Sequence, residues 1–351
     1  MVRLIDIAKA ANVSRAVVSA VLSSRNGGTI RVAPETAEKI RNIAREMNYV
    51  PNVSARILNG KSSGSVGVLL DSCAPNVSVR LLRAVEHELS QHKFRTLVAE
   101  SHDSAENLFE NYNALRQYGV DGVICLSHDY PGQNEKVTEL FSAASDIVFV
   151  RGPEVHGHPL IRLDVASGIR QAVAHLFDTG RKKLMLVTQK TGSWGYLMRS
   201  EGFQAAAGDA GIICQLAKSS STIPSAAETG EICRRIREEK VDGVIARNDF
   251  DALALITALQ ERGIRVPEDV AVTGSDDEPF ARFTAPSLTT INYNLEAIAG
   301  QSVAALLKKE SIDLPIIQPE LIIRNSTGKT GDSASGSSSD QSKNTDEIAF
   351  C

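Results

Sequence analysis

Three segments with apolar residues at helical spacing open the chain. Residues 4–11 are apolar at positions 4, 7, 8 and 11, and Ser14 offers a cap for a second helix over 15–22. Pro34 suits the first turn of a third helix, which continues from Thr36 to Met47. Two short helices joined by a tight turn predict a helix-turn-helix, although a small three-helix domain without DNA contacts has the same pattern.

A short segment after the third helix distinguishes these two interpretations. Residues 53–61 are too few for a helix that is stable alone in water. The pattern Asn-x-x-Ala-Arg-x-Leu over residues 52–58 resembles the hinge of the LacI-type family of bacterial transcription regulators, and further matches lie at Ile7-Ala8, Val13-Ser14 and Val18-Ser19. The resemblance implies DNA contacts at Asn52, Ala55, Arg56 and Leu58.

In that family the hinges of two subunits fold together in the minor groove, and the leucine that corresponds to Leu58 wedges a base step open. Such a wedge kinks the duplex, and the added contacts offset the cost of deformation. Leu58 could instead be a core leucine of an interdomain linker, and Arg56 could be a solvated charge.

Charge is distributed unevenly along the chain. Residues 1–64 contain ten Lys or Arg and four Asp or Glu, a net charge of +6, whereas the whole chain carries −4 and the remainder −10. A basic module joined to an acidic body is the pattern expected of nucleic-acid binding confined to one domain.

The second predicted helix carries the side chains expected to read DNA. Arg15 can pair with guanine through two hydrogen bonds, whereas alanines offer only apolar contact, for example to a thymine methyl group. Val17 stands where the family commonly has Thr, so one phosphate contact is expected to be missing. The predicted DNA-binding residues of this region are Ser14, Arg15, Ala16, Val17, Ser19 and Ala20.

From about residue 65 to 326, short apolar strands alternate with amphipathic helices, which predicts an α/β body of parallel sheets. Val120-Asp121-Gly122-Val123-Ile124 recurs as Val241-Asp242-Gly243-Val244-Ile245, and the strands at 66–70 and 184–188 form a second pair at a similar offset. The duplication predicts two lobes with a cleft at the carboxyl ends of their strands. This body resembles the periplasmic-binding-protein-like effector domain of the LacI-type family.

The residues expected to line the cleft follow strands. Arg199 matches the family's Arg-x-x-Gly-Phe pattern, Asn248 its Asn-Asp pair, and Asp276 its Gly-aromatic-Asp-Asp pattern. An arginine fork suits a pair of hydroxyls or a carboxylate, and Asp276 can accept from hydroxyls. Each has a structural alternative, since Arg199 could pair with a carboxylate and Asp276 could cap a helix. The expected effector-binding set is Ser72, Arg151, Trp194, Arg199, Asn248 and Asp276.

Arg151 departs from the family pattern, because many sugar-binding members carry an acidic or small residue there. A second arginine in the cleft favours a ligand with a carboxylate or phosphate, such as a sugar acid, unless Arg151 points to solvent. Ser275 replaces the usual aromatic residue, and Val77-Ser78 stands where the family often has two phenylalanines. These departures bear on which ligand is bound.

The expected fold class is a small all-α helix-turn-helix headpiece followed by an α/β periplasmic-binding-protein-like body of two parallel-sheet lobes. Ser and Gly enrichment predicts a disordered end. Because no leucine heptad occurs there, the tail gives no reason to expect a tetramer. The expected domains are a headpiece (1–50), a hinge and linker (51–62), a two-lobed effector-binding and dimerisation domain (63–326) and a tail (327–351).

The expected function is that of a transcriptional repressor, bound as a homodimer to palindromic double-stranded DNA and controlled by a carbohydrate-type small molecule. A partner protein could replace the small molecule, and a solute-binding protein for a transporter would share the lobes but lack the headpiece. No nucleophile–base motif, phosphate loop or metal-ligand spacing is evident, so neither an enzyme, a cofactor nor a metal is expected. Without a signal peptide or an apolar span, a cytoplasmic, nucleoid-associated protein is expected, with no membrane partner.

Overall fold

The computed structural model describes residues 2–22, 32–50, 57, 62–71, 76–101, 104–127, 130, 132–152, 154–189, 193–216, 224–308 and 314–328. They form two compact units, Met1–Ser63 and Gly64–Cys351. Within the described residues, no helix combines the length and the apolar character needed to cross a membrane.

The first unit contains three helices, α1 (Leu4–Ala11), α2 (Arg15–Leu22) and α3 (Pro34–Glu46). Helix α1 ends at Asn12, whose left-handed backbone (φ 56°) turns the chain towards α2. The Ser14 hydroxyl accepts a hydrogen bond from the Val17 amide at 3.4 Å, so Ser14 caps α2 as predicted. One apolar side chain from each helix is fully buried, and these three pack in one core: Ile7, Val18 and Ile40.

The second unit begins with a lobe built on a five-stranded parallel sheet, here called the N-lobe. Its strands lie in the order β2-β1-β3-β4-β5. The elements are β1 (Ser65–Leu70), α4 (Asn76–Gln91), β2 (Arg95–Glu100), α5 (Ala105–Gln117), β3 (Val123–Cys125), α6 (Asn134–Phe141), β4 (Ile147–Val150) and β5 (Leu160–Ile161).

The other lobe, the C-lobe, has a six-stranded sheet in the order β11-β10-β9-β8-β6-β7, in which β11 alone is antiparallel to its neighbour. Its elements are α7 (Val165–Asp178), β6 (Leu184–Gln189), α8 (Trp194–Ala207), β7 (Gly211–Leu216), α9 (Ala226–Glu239), β8 (Gly243–Ile245), α10 (Asp249–Gln260), β9 (Ala271–Ser275), β10 (Thr289–Asn292) and, after the helix described next, β11 (Glu320–Ile322).

Helix α11 (Leu295–Lys308) leaves the C-lobe and packs against α4 and the strands of the N-lobe. The chain then returns to the C-lobe, where the bridge between Leu163 and Ile317 joins two of the crossing segments. The segments between the lobes therefore include one before α7, one before α11 and one after it.

The duplication predicted from the sequence is confirmed by the strand order, which is the same in the two lobes apart from β11. The repeated aspartate, Asp121 in the N-lobe and Asp242 in the C-lobe, makes the same kind of contact in each lobe. Asp121 accepts a hydrogen bond from the Gly64 amide at 2.8 Å, and Asp242 accepts from the amides of Lys182 (2.9 Å) and Lys183 (2.8 Å). The acceptor in each case holds the residues that lead into the first strand of its lobe.

The tail was expected to begin at residue 327, but Thr327 still packs within the body. Thr327 is fully buried, and its hydroxyl lies 2.8 Å from His175 Nε2 and 2.9 Å from Thr289 Oγ1. The Ser326 hydroxyl donates to the Val272 carbonyl at 2.6 Å. Short polar residues pack here because buried partners satisfy them, so the ordered body continues through 327.

Candidate functional site

The N-terminal end of α2 is exposed on the headpiece. Ser14, Arg15 and Ala16 are exposed, whereas Val18 in the same helix is buried. The other predicted residues on this helix, Val17, Ser19 and Ala20, are half-buried. Helix α2 is therefore anchored through one face while its first turn remains open to a partner. The predicted hinge contacts Asn52, Ala55, Arg56 and Leu58 lie outside the described residues.

Five of the six predicted effector residues are among the described residues. Arg151 follows β4 of the N-lobe, while Asn248 and Asp276 follow β8 and β9 of the C-lobe. Trp194 and Arg199 belong to α8, and Trp194 is half-buried against the main apolar core. The sixth, Ser72, lies outside the described residues.

Asp276 lies in the electrostatic field of arginines from both lobes. Burial raises the pKa of Asp276 to about 6, while the guanidinium groups of Arg199 and then Arg151 oppose that rise. Glu278 adds to it, and Arg80 opposes it. The sequence predicted Asp276 and Arg199 from separate motifs and Arg151 as a departure from the family pattern, and the fold brings the three charges close together.

Arg151 does not point freely to solvent, which was the alternative left open by the sequence. Its side chain is half-buried, and Nη2 donates to the Ser78 hydroxyl at 3.0 Å. Ser78 is buried in the first turn of α4. The Arg151 backbone is left-handed (φ 69°), and its amide donates to the Ile161 carbonyl at 2.9 Å. Arg151 is thus held at its guanidinium by Ser78 and at its backbone by Ile161.

Arg199, Ser275 and Tyr293 form a buried polar group beside Asp276, in which the Tyr293 hydroxyl lies within hydrogen-bonding reach of Ser275 and Arg199. Burial raises the pKa of Tyr293, and the first group that opposes the rise is Arg199. Buried polar groups are tolerated where they are hydrogen-bonded, and these three satisfy one another beside Asp276. Tyr293 was missed by the sequence reasoning, although it directly follows β10 and so occupies a strand end like the others.

The two residues of the Asn-Asp pair after β8, Asn248 and Asp249, have different structural roles. The Asn248 side-chain oxygen caps α10 by accepting from the Asp251 amide at 2.8 Å, so its amide nitrogen is the group left for a ligand. Asp249 is fully buried and accepts from the Glu278 amide at 2.6 Å and from the Thr290 hydroxyl at 2.5 Å. Burial raises the pKa of Asp249 to about 8, helped by the nearby Asp276 carboxylate. Asp249 is therefore a structural acid.

In the Gly-x-Asp-Asp pattern after β9, Gly274 and Asp277 have roles in packing and ion pairing. A Cβ on Gly274 would collide with the Asp249 carboxylate, so this position has no room for a side chain. Asp277 pairs with Arg324 at 2.7 Å and accepts from the Asn292 amide at 3.0 Å. Asp276 is thus the member of the pattern that faces the cluster.

The N-lobe contributes a buried polar group that the sequence reasoning did not identify. Tyr130 donates to the Ser101 hydroxyl at 3.0 Å, Ser101 lies 3.3 Å from the Asp71 carboxylate, and the Ser127 hydroxyl lies 3.4 Å from that of Ser101. Asp71, Ser101 and Ser127 each follow a strand of the N-lobe sheet closely, which is the signal that could have found them.

Contacts between the two lobes lie beside the cluster formed by Asp276, Arg199 and Arg151. Arg80 from α4 donates to the Asp276 carbonyl at 2.7 Å and lies 3.5 Å from the Glu278 carboxylate. Asn76, the first residue of α4, donates to the same carboxylate at 2.7 Å. The start of α4 therefore binds the loop that carries Asp276.

Two family models match the chain. The model described as bacterial regulatory proteins, lacI family, covers residues 3–52, and the one described as periplasmic binding protein-like domain covers residues 173–327. The chain is 27% identical over 337 residues to the HTH-type transcriptional repressor PurR of Histophilus somni (strain 129Pt), which covers 93% of this chain and 99% of that protein.

Two solved structures are similar in fold. The lac repressor dimer bound to operator and the anti-inducer ONPF has a TM-score of 0.79 at 24% identity, covering 93% of this chain and 99% of that one. The transcriptional regulator CelR in complex with cellobiose has a TM-score of 0.60 at 24% identity, covering 93% and 100%. The helix-turn-helix and the two-lobed α/β body predicted from the sequence are confirmed. The chain belongs to the lacI family of bacterial regulatory proteins, a family of DNA-binding transcription regulators.

Proposed function

We propose that this protein is a sequence-specific transcriptional repressor whose operator affinity is controlled by a small molecule bound between its lobes. The observation that carries the proposal is the cluster at the strand ends in which Arg199 and Arg151, from the two lobes, lie in the electrostatic field of Asp276. A cleft that served only as scaffold for a partner protein would have no reason to gather charged groups with shifted pKa values at its strand ends.

A carbohydrate or carbohydrate derivative is the proposed ligand class. Asp276 supplies an acceptor for hydroxyl groups, and the guanidinium of Arg199 supplies paired donors. CelR, which is similar in fold, was solved with cellobiose, which makes sugars a reasonable first class to test.

The proposed DNA-bound form is a homodimer on a palindromic operator, because two copies of α2 related by a twofold axis would read two half-sites. Strand β2 supports a dimer, since it lies at an edge of the N-lobe sheet and exposes Leu97 (38%) and Val98 (48%). Leu58 remains the proposed wedge in the minor groove. Ligand can change operator affinity only through its different affinities for the two lobe arrangements.

The test is binding of the intact chain to DNA upstream of its own gene across a salt series. Arg15→Ala is compared with Arg41→Ala, which removes the same charge from an exposed position on α3. We expect Arg15→Ala to cost about 1–3 kcal/mol of discrimination between specific and random DNA, and Arg41→Ala to weaken both DNAs alike. Equal loss of discrimination in the two variants would contradict base reading by Arg15. Leu58→Ala tests the hinge in the same assay.

A further inference from the structure

We infer that Arg324 is a positioning residue for the ligand: through Asp277 it fixes the loop of residues 276–278 in the conformation that presents Asp276. The inference rests on the proposed function, because Asp276 is the proposed ligand residue. It adds a residue that acts on ligand affinity through a neighbour and not by direct contact.

The loop of residues 276–278 has an unusual backbone. Asp276 (φ 98°) and Asp277 (φ 44°) follow one another at positive φ. A side chain makes this region unfavourable, so glycine is the residue that adopts it most readily. Two aspartates in succession persist there only where neighbouring contacts fix them, and such backbones are concentrated at functional sites. The conformation that presents Asp276 therefore depends on groups outside the loop.

The backbone of the loop is tied to β10 and α10. The amides of residues 276, 277 and 278 donate, in that order, to the Ile291 carbonyl at 2.8 Å, the Thr290 hydroxyl at 3.2 Å and the Asp249 carboxylate at 2.6 Å. Because all three loop amides are hydrogen-bonded, each should exchange its hydrogen slowly while the loop keeps this conformation. Loosening of the loop can therefore be measured at these amides.

Arg324 holds the side chain of Asp277. Its Nη2 lies 2.7 Å from Asp277 Oδ1, and its Nη1 donates to the Leu288 carbonyl at 2.7 Å. The Asn292 amide donates to the other Asp277 oxygen at 3.0 Å. Only 12% of the Arg324 side chain and 11% of the Asp277 side chain are exposed, so solvent screens this pair little. Because both carboxylate oxygens have partners, Asp277 cannot rotate without breaking a contact.

Arg324 is itself held by its own backbone and by the residues that follow it. Its amide donates to the Thr289 hydroxyl at 2.8 Å, and the Ser326 hydroxyl donates to the Val272 carbonyl at 2.6 Å. This segment of the chain is thus fixed to β9 and β10. The guanidinium therefore starts from an anchored backbone, and it anchors Asp277 in turn.

Two roles of Arg324 make different predictions. If the arginine only adds stability, its loss loosens the C-lobe as a whole. If it positions the loop, its loss acts first on the amides of residues 276–278 and on ligand affinity. Arg181 is the matched control, because it also ties a C-lobe loop by donating to carbonyls, those of Pro267 (2.7 Å) and Glu268 (3.3 Å). That loop carries no proposed ligand residue.

The experiment is hydrogen–deuterium exchange of the full-length protein, measured by mass spectrometry on peptides that cover residues 270–280. Arg324→Gln should speed exchange of the loop amides by about 10- to 100-fold, because the charge-assisted contact to Asp277 is lost. Arg324→Lys should be intermediate, since an ammonium keeps the charge but lacks the planar fork of a guanidinium, and it carries the test if Arg324→Gln does not fold. Arg181→Gln should leave the loop at the parent rate, even where urea unfolding shows that it lowers global stability.

Ligand affinity is the second measurement. Thermal unfolding is followed with cellobiose, D-glucose, D-galactose and D-ribose at about 10 mM, at which even millimolar affinity raises the midpoint. We expect at least one of these sugars to stabilise the parent. Arg324→Gln should weaken its binding by about 10-fold, because Asp276 is no longer held in place before the ligand arrives, whereas Arg181→Gln should bind it as the parent does. Asp276→Asn, which alters the proposed contact itself, should weaken binding at least as much as Arg324→Gln.

The inference is overturned if Arg324→Gln leaves loop exchange at the parent rate, if Arg181→Gln speeds it equally, or if a sugar that stabilises the parent binds Arg324→Gln with full affinity. If no sugar of the set stabilises the parent, the proposed carbohydrate class falls, and loop exchange alone decides whether Arg324 fixes the loop. Operator binding is measured in parallel. If the protein recognises no operator while Arg324→Gln loosens the loop and weakens sugar binding, the proposed repressor falls and the inference stands.

Discussion

Arg80 and Glu278 lie on different lobes, and their charged atoms are 3.5 Å apart. The same arginine nitrogen donates to the Asp276 carbonyl at 2.7 Å, and Asn76 donates to the Glu278 carboxylate at 2.7 Å. Only 3% of the Glu278 side chain is exposed, so its charge depends on these partners. The lobes are therefore joined by direct protein contacts at the loop that carries the proposed ligand residue Asp276.

The first prediction concerns this contact. Arg80→Met should lower the free energy of unfolding by about 1–3 kcal/mol, because Glu278 would be left buried without its cationic partner. Urea unfolding of the full chain at neutral pH measures the change.

Arg265→Met is the matched control. Arg265 and Asp269 form a closer pair, at 2.7 Å, but their side chains are 69% and 39% exposed. Its loss should cost much less than that of Arg80, because exposed ion pairs are screened by solvent. Equal losses of unfolding free energy in the two variants would mean that the Arg80–Glu278 pair contributes no more to stability than an exposed ion pair.

The second prediction concerns pH. The folded chain keeps a proton on Asp249 up to its pKa of about 8, whereas the unfolded chain releases it near the ordinary value of 3.8. The folded state thus binds one more proton between these values, and the free energy of unfolding must fall as pH rises through this window. Asp249→Asn cannot release a proton, so the decline should become less steep by up to about 1.4 kcal/mol per pH unit.

Unfolding curves of the parent and Asp249→Asn at a series of pH values between about 5 and 8 provide the measurement. Asp269→Asn is the control, because Arg265 holds the pKa of Asp269 near 2, below this window. Its slope should equal that of the parent. Parallel pH profiles for the parent and Asp249→Asn would contradict the prediction.

The third prediction concerns close packing at β9. Gly274→Ala should destabilise the protein by about 1–3 kcal/mol, because the new methyl group would collide with the buried Asp249 carboxylate. Gly300→Ala is the comparison: Gly300 lies in α11, and a methyl group added there would meet no neighbouring atom within 4 Å, so alanine should be neutral or stabilising by up to about 1 kcal/mol. Chemical denaturation midpoints separate the two, and a neutral Gly274→Ala would count against the collision.

The fourth prediction links the headpiece core to DNA binding. Val18 is fully buried beneath α2, so Val18→Ala leaves a cavity and should cost about 1–3 kcal/mol of headpiece stability. Operator affinity should fall with it, although Val18 itself cannot touch DNA. Val50→Ala, at a position 69% exposed, should leave affinity unchanged. Undiminished operator binding by Val18→Ala would show that α2 does not need this support.

The sequence predicted the helices and strands well, because the spacing of apolar residues follows directly from which faces are buried. It also predicted Arg199 and Asp276 as ligand residues, since each stands in a motif, and the structure places their charges close together. It could not assign Asp249, which matches the same Asn-Asp motif but is fixed by Thr290 and the Glu278 amide, partners remote in sequence.

Tyr293 and Arg80 were missed for a similar reason. Neither belongs to a motif that was recognised, and both matter only once the lobes are placed together. Periodicity reports burial within one element, whereas a cleft depends on the relative position of several.

Helix α11 has a consequence for how the protein is made. It is synthesised after nearly the whole C-lobe, yet it packs on α4 and the N-lobe strands, and Leu306 reaches within 2.7 Å of where a side chain on Gly122 would begin. The first lobe to leave the ribosome therefore lacks one of its covering helices until residues 295–308 emerge. A chain interrupted between the lobes would end with an incomplete first lobe, its apolar surface open to chaperones and proteases.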